Sequence, residues 1–137
     1  MFRTQFEIST SGRGCLNITE HLADAIHQAG GPKVGLACLF VHHTSASLII
    51  TENADRRVLG DLETWISGSV VDGDGRFTHT AEGPDDMSAH IRSIITATSL
   101  NVPIRDGIPD LGTWQGVFLF EHRNHPMRRR VSITVLG

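Results

Sequence analysis

The sequence lacks the features that mark membrane, secreted and nucleic-acid-binding proteins. Its longest uninterrupted apolar run is the six residues Leu36–Val41, whereas a membrane-spanning helix needs roughly 20. The first residues contain no continuous apolar segment of the kind found in secretory signals. The net charge of -3 gives no general attraction to polyanions, although Arg128–Arg130 form one local basic run. We therefore expect a cytoplasmic protein that binds neither membranes nor nucleic acid.

Cysteine is also scarce. Cys15 and Cys38 are the only two cysteines, they lie far apart in the chain, and neither belongs to a CxxC motif. Isolated cysteines of this kind indicate free thiols in a reducing compartment rather than a disulfide framework.

Several enzyme signatures are missing as well. The chain contains no HExxH metalloprotease motif, no P-loop, no GxSxG nucleophile elbow and no usable GxGxxG dinucleotide motif. These absences exclude the enzyme classes built on those motifs. Ser45 and Ser47 lie beside His43, but adjacency in sequence says nothing about hydrogen-bond geometry, so nucleophilic catalysis through them is an alternative without geometric support.

Length and composition indicate one folded domain, which we place at residues 1–137. Single domains commonly contain about 100 to 150 residues, enough to bury a core. Charged residues make up only 20% of the chain and glycine occurs 14 times. This composition favours a loop-rich globular protein over a disordered one.

Hydrophobic periodicity predicts the strands. Alternating runs indicate strands with two different faces, and the nearly continuous apolar run after residue 33 indicates a strand buried on both faces. The predicted strands cover residues 2–9, 34–42, 46–51, 100–104, 114–122 and 129–136, and a further short strand is predicted near Phe77. Pro103 lacks an N–H group and would place its strand at an edge or bulge. The turn at 124–126 predicts that the last two strands form a closing hairpin.

Three helices are predicted between these strands. The first follows Asn17, which can cap it, and ends at Gly30–Pro32. The second starts near Asn53, and the third runs from Ala89 to about Thr98 with Ser88 as its cap. Their residues expected to face the core include Trp65, Ile91, Ile94 and Ile95. The mixed order of helices and strands predicts an α+β fold of layered, largely antiparallel β-sheets flanked by about three helices.

Ligand-type side chains are densest at residues 79–90, HTAEGPDDMSAH. The twelve residues hold two imidazoles, three carboxylates and a Gly-Pro turn. Imidazole nitrogens and carboxylate oxygens are what a divalent transition metal or a proton-transfer site requires. A solvated acidic loop with incidental histidines is the alternative for this segment.

Histidine is abundant, with 8 in the chain. Five of them lie at predicted element ends or beside acidic residues, namely His42, His43, His79, His90 and His122. We expect three imidazoles from different segments to bind one divalent metal, zinc by ligand type, with a position left open for substrate or water. Glu82, Asp85 and Asp86 would hold the ring N–H groups or act as a general base. The alternative is that some of these histidines lie in the core or at an interface, with their hydrogen bonds already made.

Four segments resemble one known family. They read HTSASLIITEN at 43–53, NADRRVLGDL at 53–62, HTAEGPDDMSAH at 79–90 and VPIRDGIPDLGTWQGVFLFEHR at 102–123. Together they resemble the YjbQ-like family, also called secondary thiamine-phosphate synthase, over about residues 34–137. The resemblance implies an α+β fold, a homotrimer and a histidine-lined metal site. It also implies a secondary activity that joins hydroxymethylpyrimidine pyrophosphate to thiazole phosphate.

The resemblance assigns functional residues position by position. The motif positions are His43, His79, Glu82, Asp86, His90, Gln115, Glu121, His122 and Arg123. Two positions depart from the family pattern, since Ser88 stands where proline is usual and Arg92 where lysine is usual. Both lie beside the metal motif rather than in it, so they bear on loop rigidity and anion contact more than on metal binding.

Displacing pyrophosphate from a pyrimidine methylene requires charge neutralisation and a dry, oriented pocket. We therefore expect a small phosphorylated substrate and three groups of site residues. The metal ligands would be His43, His79 and His90, with His122 able to replace any of them. The proton-moving residues would be Asp86, His122 and Glu82, and the substrate-binding residues Arg123, Gln115 and Ser45. Two alternatives use the same residues, a non-enzymatic metal-binding trimer and a metal-dependent hydrolase of a phosphorylated metabolite.

Overall fold

The structure is a computed structural model that describes residues 1–137. It contains three helices and eight strands. In chain order they are β1 (Phe2–Ser9), β2 (Gly14–Asn17), α1 (Thr19–Gln28), β3 (Val34–Val41), β4 (Ala46–Glu52), α2 (Arg56–Ser69), α3 (Asp86–Ile95), β5 (Ser99–Arg105), β6 (Ile108–Pro109), β7 (Gln115–Glu121) and β8 (Arg128–Leu136). None of the helices is long and apolar enough to cross a membrane.

The strands form two antiparallel sheets. The larger has the order β1-β8-β3-β5-β6, and the smaller has the order β2-β7-β4. Leu39 of β3 lies opposite Ile133 of β8 in the larger sheet. In the smaller sheet, Leu119 of the central strand lies opposite Leu16 on one side and Leu48 on the other. The predicted α+β class with largely antiparallel sheets is confirmed.

The main hydrophobic core combines residues of both sheets with the inner face of α1. Its fully buried side chains include Leu39 and Ile133 from the larger sheet and Leu119 from the smaller one. Leu22 and Ile26 of α1 join them, one helical turn apart on one face. Burial of each such side chain contributes about 1.5–3 kcal/mol to stability. This core is the rigid body on which the polar ends of β3, β7 and α3 are carried.

The outer face of the smaller sheet carries α2 and α3. Phe120 of β7 packs with Ile66 and Val70 at the end of α2, and Ile91 of α3 joins this second cluster. Successive residues of a strand point to opposite faces. Strand β7 is therefore buried on both sides, with Leu119 in the main core and Phe120 under the helices.

The last two strands do not form the expected hairpin. Strand β7 pairs with β2 and β4, whereas β8 pairs with β1 and β3. Residues 122–127 cross between the two sheets, and hydrogen bonds from His122 N to Ser45 O and from Thr10 N to Met127 O hold this crossing at both ends. The prediction was wrong because a short turn looks the same in sequence whether the chain returns to its own sheet or enters another.

Helices α2 and α3 also differ from the prediction. Trp65 is 66% exposed rather than anchored in the core, and Ile94 of α3 is 79% exposed. Helix α3 begins at Asp86 rather than at Ala89, and its inner face carries Arg92, which is fully buried. Arg92 donates to Glu63 Oε1 of α2 at 2.9 Å. The two helices are joined by this ion pair. Of the three isoleucines expected to point inward, Ile91 packs against the second cluster, whereas Ile94 and Ile95 are exposed.

Candidate metal centre

Three ligand-type side chains converge at the start of α3. The Nε2 atom of His79 lies 2.8 Å from Oδ2 of Asp86, and the Nε2 atom of His90 lies 3.1 Å from the same oxygen. The three ligand atoms all lie within 4.8 Å of one another. We call His79, Asp86 and His90 the candidate metal centre.

Local helix geometry brings two of the three residues together. Asp86 is the first residue of α3 and His90 lies four positions later, so their side chains project from the same side of the helix. His79 comes from the loop at 70–85 that joins α2 to α3. A hydrogen bond of 3.0 Å from Gly73 N to Pro84 O closes this loop at its base. The loop therefore folds back and places His79 above the first turn of α3.

An ion pair anchors the beginning of this loop. Arg13 donates from its two Nη atoms to the Asp72 carboxylate at 2.8 and 2.6 Å, and Ser88 Oγ of α3 donates to the same carboxylate. Arg13 Nε also donates to His122 O at 2.8 Å. The hydrogen bond from Arg13 is the main reason that the pKa of Asp72 falls to about 2. The loop base, α3 and the end of β7 are thus held as one unit.

The carbonyl group of Thr44 fixes the orientation of His90. The Nδ1 atom of His90 lies 2.9 Å from Thr44 O, which can only accept a hydrogen bond. Nδ1 therefore carries a proton and Nε2 is the atom directed at Asp86. A carbonyl that holds one ring nitrogen in this way is a common outer partner of a metal-binding histidine.

Asp86 is only 2% exposed and is fixed from behind by Arg123. Arg123 donates from Nη1 to Asp86 Oδ1 at 2.9 Å, which leaves Oδ2 to face the two imidazoles. Burial raises the pKa of Asp86, but the hydrogen bond from His79 and the charges of His90 and Arg123 outweigh it, so the pKa lies below its usual range. Asp86 is therefore an anion with one oxygen available to a cation.

This donor set fits a divalent cation of the zinc type. Two imidazole nitrogens and one carboxylate oxygen form a three-ligand set that leaves a coordination position open. Ligands of a tetrahedral zinc ion lie about 3.3 Å apart when the metal–ligand distances are about 2.0–2.1 Å. The spacings of 2.8 and 3.1 Å around Asp86 are within about half an ångström of that value. Small side-chain movements would admit the ion.

A cavity of about 610 Å³ borders the centre at His90. One wall comes from the end of β3 and the following residues, the other from α3. The side chains that matter for its chemistry are Phe40, Val41, His42, His43, His90 and Ile94. The predicted ligand His43 therefore lies in the cavity beside the centre and outside the three-residue set.

The hydrogen bonding of His43 explains this placement. Arg130 N donates to His43 Nε2 at 2.8 Å, so this nitrogen is an acceptor already in use. Burial lowers the pKa of His43, and the charges of Arg129 and Arg130 lower it further. The ring is therefore neutral with its proton on Nδ1, and neither nitrogen offers a lone pair to a metal.

His122 occupies a sealed position. It is fully buried, and its Nε2 lies 2.8 Å from Ser47 Oγ, which is also fully buried. Burial lowers its pKa to about 3, and the charges of Arg92, Arg13 and Arg129 act in the same direction. The structure therefore places His122 in the interior, outside the set of residues that forms the centre.

The guanidinium of Arg123, for which the sequence predicts phosphate binding, is fully engaged inside the protein. Besides the bond to Asp86, its Nε donates to Asp85 Oδ2 at 3.0 Å and its Nη2 to Glu82 O at 2.9 Å. Every nitrogen of the guanidinium thus has an internal acceptor. Arg123 acts on the centre through Asp86 rather than on a substrate.

The structure does not bring the remaining predicted residues to the centre. The Glu82 side chain is exposed in the loop, and only its carbonyl group is engaged. Gln115 lies at the opposite end of β7, where its side chain accepts from Gly112 N at 2.8 Å. Ser45 is buried and its Oγ accepts from Arg129 Nη2 at 2.9 Å.

Arg130 is a charged residue near His42 and His43 that the sequence did not single out. Neighbouring Arg129 points inward and pairs with the buried Glu121 at 2.5 Å. Arg130, on the other face of β8, is exposed and its guanidinium makes no hydrogen bond or ion pair in the protein. Its charge acts on His42 and His43. The signal was present in the basic run at 128–130, because a strand sends alternate residues to opposite faces.

Comparisons with known proteins agree with this fold. The family model described as UPF0047 protein YjbQ-like matches residues 4–137. A UPF0047 protein of Synechocystis sp. is 49% identical over 130 residues, which cover 95% of this chain and 88% of that protein. UPF0047 protein YjbQ of Escherichia coli O157:H7 is 37% identical over 99% of this chain and 98% of its own length.

A solved structure extends the likeness to three dimensions. The crystal structure of a hypothetical protein from Aeropyrum pernix K1 has a TM-score of 0.89 at 28% sequence identity and covers 100% of this chain and 99% of that chain. Sequence and backbone thus match over nearly the whole length. The chain belongs to the YjbQ-like UPF0047 family.

Proposed function

We propose that this protein is a metal-dependent enzyme that acts on a small phosphorylated compound. The observation that carries the proposal is the convergence of His79, Asp86 and His90 within 4.8 Å, next to a cavity that opens at His90. Their environments support a cation site, because Arg123 and Thr44 O hold two of the three side chains from behind. Incidental surface histidines would not need such partners.

Each residue of the centre has a distinct task in this proposal. His79 and His90 would bind zinc through Nε2 and Asp86 through Oδ2. When bound, a divalent ion neutralises the charge that develops on a phosphate leaving group. Arg123 keeps Asp86 in place, and the loop at 70–85 covers the site on one side.

The finer proposal is a thiamine-phosphate-synthase-type reaction. The ring nitrogen of thiazole phosphate would form a bond to the methylene carbon of hydroxymethylpyrimidine pyrophosphate. The bond from that carbon to the pyrophosphate oxygen would break, and its electron pair would leave with pyrophosphate. This displacement requires orientation and charge neutralisation but no general base. The absence of His122 and Glu82 from the centre is compatible with such a reaction.

Zinc titration tests the centre itself. We expect the wild-type chain to bind zinc in calorimetry, and His79→Ala, Asp86→Asn and His90→Ala each to weaken binding by more than the roughly 100-fold that loss of an outer partner causes. His27→Ala, on the exposed face of α1, serves as the matched control. Unchanged affinity in all three site variants would refute the metal centre.

Turnover tests the enzymatic part. The two thiamine precursors and a panel of phosphate esters would be incubated with the zinc-loaded protein, with and without a chelator. The proposal expects zinc-dependent product from at least one of them, lost in Asp86→Asn. Zinc binding that stabilises the protein without any turnover would favour the non-enzymatic alternative.

A cytoplasmic homotrimer is part of the same proposal. Free Cys15 and Cys38 support the location. Phe118 and Phe120 are buried within the single chain and do not supply an assembly surface, but the exposed Trp65 and Ile95 are large apolar side chains of the kind that subunit contacts cover. Light scattering coupled to gel filtration would give the molar mass, and a monomer at micromolar concentration would contradict assembly.

A further inference from the structure

The cavity beside the candidate metal centre is lined by apolar side chains from both of its walls and by three imidazoles. Val41 is buried at its floor, while Phe40 and Ile94 expose apolar surface towards it. His42 and His43 also line the cavity, and His90 marks its border with the centre. A volume of about 610 Å³ is that of a site for a small organic molecule.

His43 presents a hydrogen-bond donor of fixed identity. Its Nε2 accepts from Arg130 N, so the neutral ring carries its proton on Nδ1. Nδ1 has no hydrogen-bond partner within the protein, although it is not sealed in the interior. A donor that is fixed by the backbone and left without an internal acceptor is available to a ligand.

The surrounding charge favours an anion. No aspartate or glutamate lines the cavity itself, and the Asp86 carboxylate beyond His90 is paired with Arg123. The exposed guanidinium of Arg130 acts on both His42 and His43, and Arg3 adds to the positive field at His42. Glu121 faces His43 from β7, but its carboxylate is already bound by Arg129. Arg130 and Arg3 are therefore exposed positive charges without an ion-pair partner near this end of the cavity.

We infer that the cavity binds a small organic anion, with His43 Nδ1–H donating to an oxygen of its phosphate or carboxylate group and Phe40 and Ile94 contacting its apolar part. This inference deepens the proposed function and rests on it, since the bound compound would lie against His90 and the metal. It concerns binding by residues outside the metal centre, so binding in the absence of metal is expected.

Two substitutions of His43 separate binding from folding. His43→Gln can keep an acceptor for Arg130 N but has no donor at the position of Nδ1. His43→Asn keeps an amide donor near that position and gives up the bond to Arg130. With phenyl phosphate as the probe, we expect His43→Gln to bind about 10- to 100-fold more weakly than wild type and His43→Asn to bind more tightly than His43→Gln.

Thermal unfolding of the same proteins should give the reverse order, with His43→Asn losing more stability because Arg130 N is left without its acceptor. A merely structural role for His43 predicts instead that binding and stability fall together, most in His43→Asn. That result would overturn the inference. A long-range proton–nitrogen NMR spectrum shows directly which ring nitrogen of His43 carries the proton. A ring protonated on Nε2 at pH 7 would also overturn the inference.

The apolar lining formed by Phe40 and Ile94 is tested with a second pair of variants. Ile94→Ser should weaken phenyl phosphate binding about threefold to tenfold and leave inorganic phosphate unaffected. Ile108→Ser, at an exposed isoleucine of β6, is the control. Benzoate in place of phenyl phosphate distinguishes a carboxylate from a phosphate ligand. Equal binding of inorganic phosphate and phenyl phosphate would remove the apolar part of the inference.

The two proposals can fail separately. If zinc binding is lost in the centre variants but phenyl phosphate binding does not respond to His43→Gln, the metal centre stands and the anion site fails. If zinc does not bind but His43→Gln weakens phenyl phosphate, the anion site stands and the metal-dependent enzyme fails.

Discussion

Two histidines of this protein, His90 and His122, occupy polar clusters of opposite character. Each has a ring nitrogen within hydrogen-bond distance of an oxygen atom, Thr44 O for His90 and Ser47 Oγ for His122. His90 borders a cavity and faces a carboxylate, whereas His122 is fully buried and its Nδ1 has no partner. An imidazole becomes chemically useful where it meets both an opposite charge and a route to solvent. Burial alone produces a neutral structural residue.

The nearest arginines sharpen the difference. Arg123 lies behind Asp86 and directs the anion towards the two imidazoles of the centre. Arg92, by contrast, turns to Glu63 of α2 and lowers the pKa of His122 through its charge. The same type of side chain builds a cation site in one cluster and excludes a proton from the other.

The largest effect is expected when Arg123 is removed. Arg123→Gln would leave Asp85 and Asp86 as buried anions without their partner, at a cost of about 3–5 kcal/mol in the free energy of unfolding. Zinc affinity would fall about 10- to 100-fold because Asp86 loses its support. Urea unfolding and zinc calorimetry measure the two quantities. Arg57→Gln, at an exposed ion pair with Asp55, is the control, and an equal loss there would show that the comparison is wrong.

An intermediate effect is expected from acid. Burial lowers the pKa of His122 in the folded protein from its ordinary value of 6.5 to about 3, so the unfolded chain binds more protons between these values. The contribution of neutral His122 to the free energy of unfolding is therefore fully present above pH 6.5. It is lost as the pH falls towards 3, at up to about 1.4 kcal/mol per pH unit. His122→Gln should flatten this part of the unfolding profile measured in urea, with zinc affinity unchanged at pH 7. A wild-type profile without a slope between pH 6 and pH 4 would contradict the buried neutral ring.

Asp72 provides an internal reference for that experiment. Its pKa is lowered from 3.8 to about 2, so its contribution is present above pH 3.8 and is lost only as the pH falls towards 2. The Asp72→Asn variant should therefore retain the slope between pH 6 and pH 4.

The smallest effect is expected at His125. Its Nδ1 lies 3.9 Å from Asp85 Oδ2, close to the centre, but the ring is half exposed and is not part of the ligand set. His125→Ala should change the free energy of unfolding by no more than about 0.5 kcal/mol and leave zinc affinity unchanged. If calorimetry shows weaker zinc binding in this variant, the turn at 124–126 belongs to the metal centre and the prediction is wrong.

Most elements could be predicted from local pattern, and the errors have a common cause. Alternation found β1 and β7, and continuous hydrophobicity found β3, because these signals depend on neighbours in sequence. The inner face of α3 was mispredicted because its partner across the interface is Glu63, a polar residue 29 positions away from Arg92. An apolar stripe shows which side chains avoid water in general. It does not show which side of a helix meets a charged neighbour.

In the candidate site, too, some features could be predicted from the local sequence and others depend on contacts between distant segments. All three residues of the candidate centre lie within the segment at 79–90, but the third ligand predicted from the sequence was His43 rather than Asp86. The sequence could not show that His43 accepts from Arg130 N or that Arg123 faces Asp86. Both contacts join segments that only the paired strands and the crossing at 122–127 bring together.

Composition and periodicity by themselves predicted the α+β class, six of the eight strands, three helices and an imidazole-rich polar segment. The tertiary structure decided which histidines meet, which of them is fully buried, and which arginines are left without an ion pair. The physical reason is that residue type sets what a side chain can donate, accept or ionise. Hydrogen bonding and burial between distant segments then select which of those capacities is used.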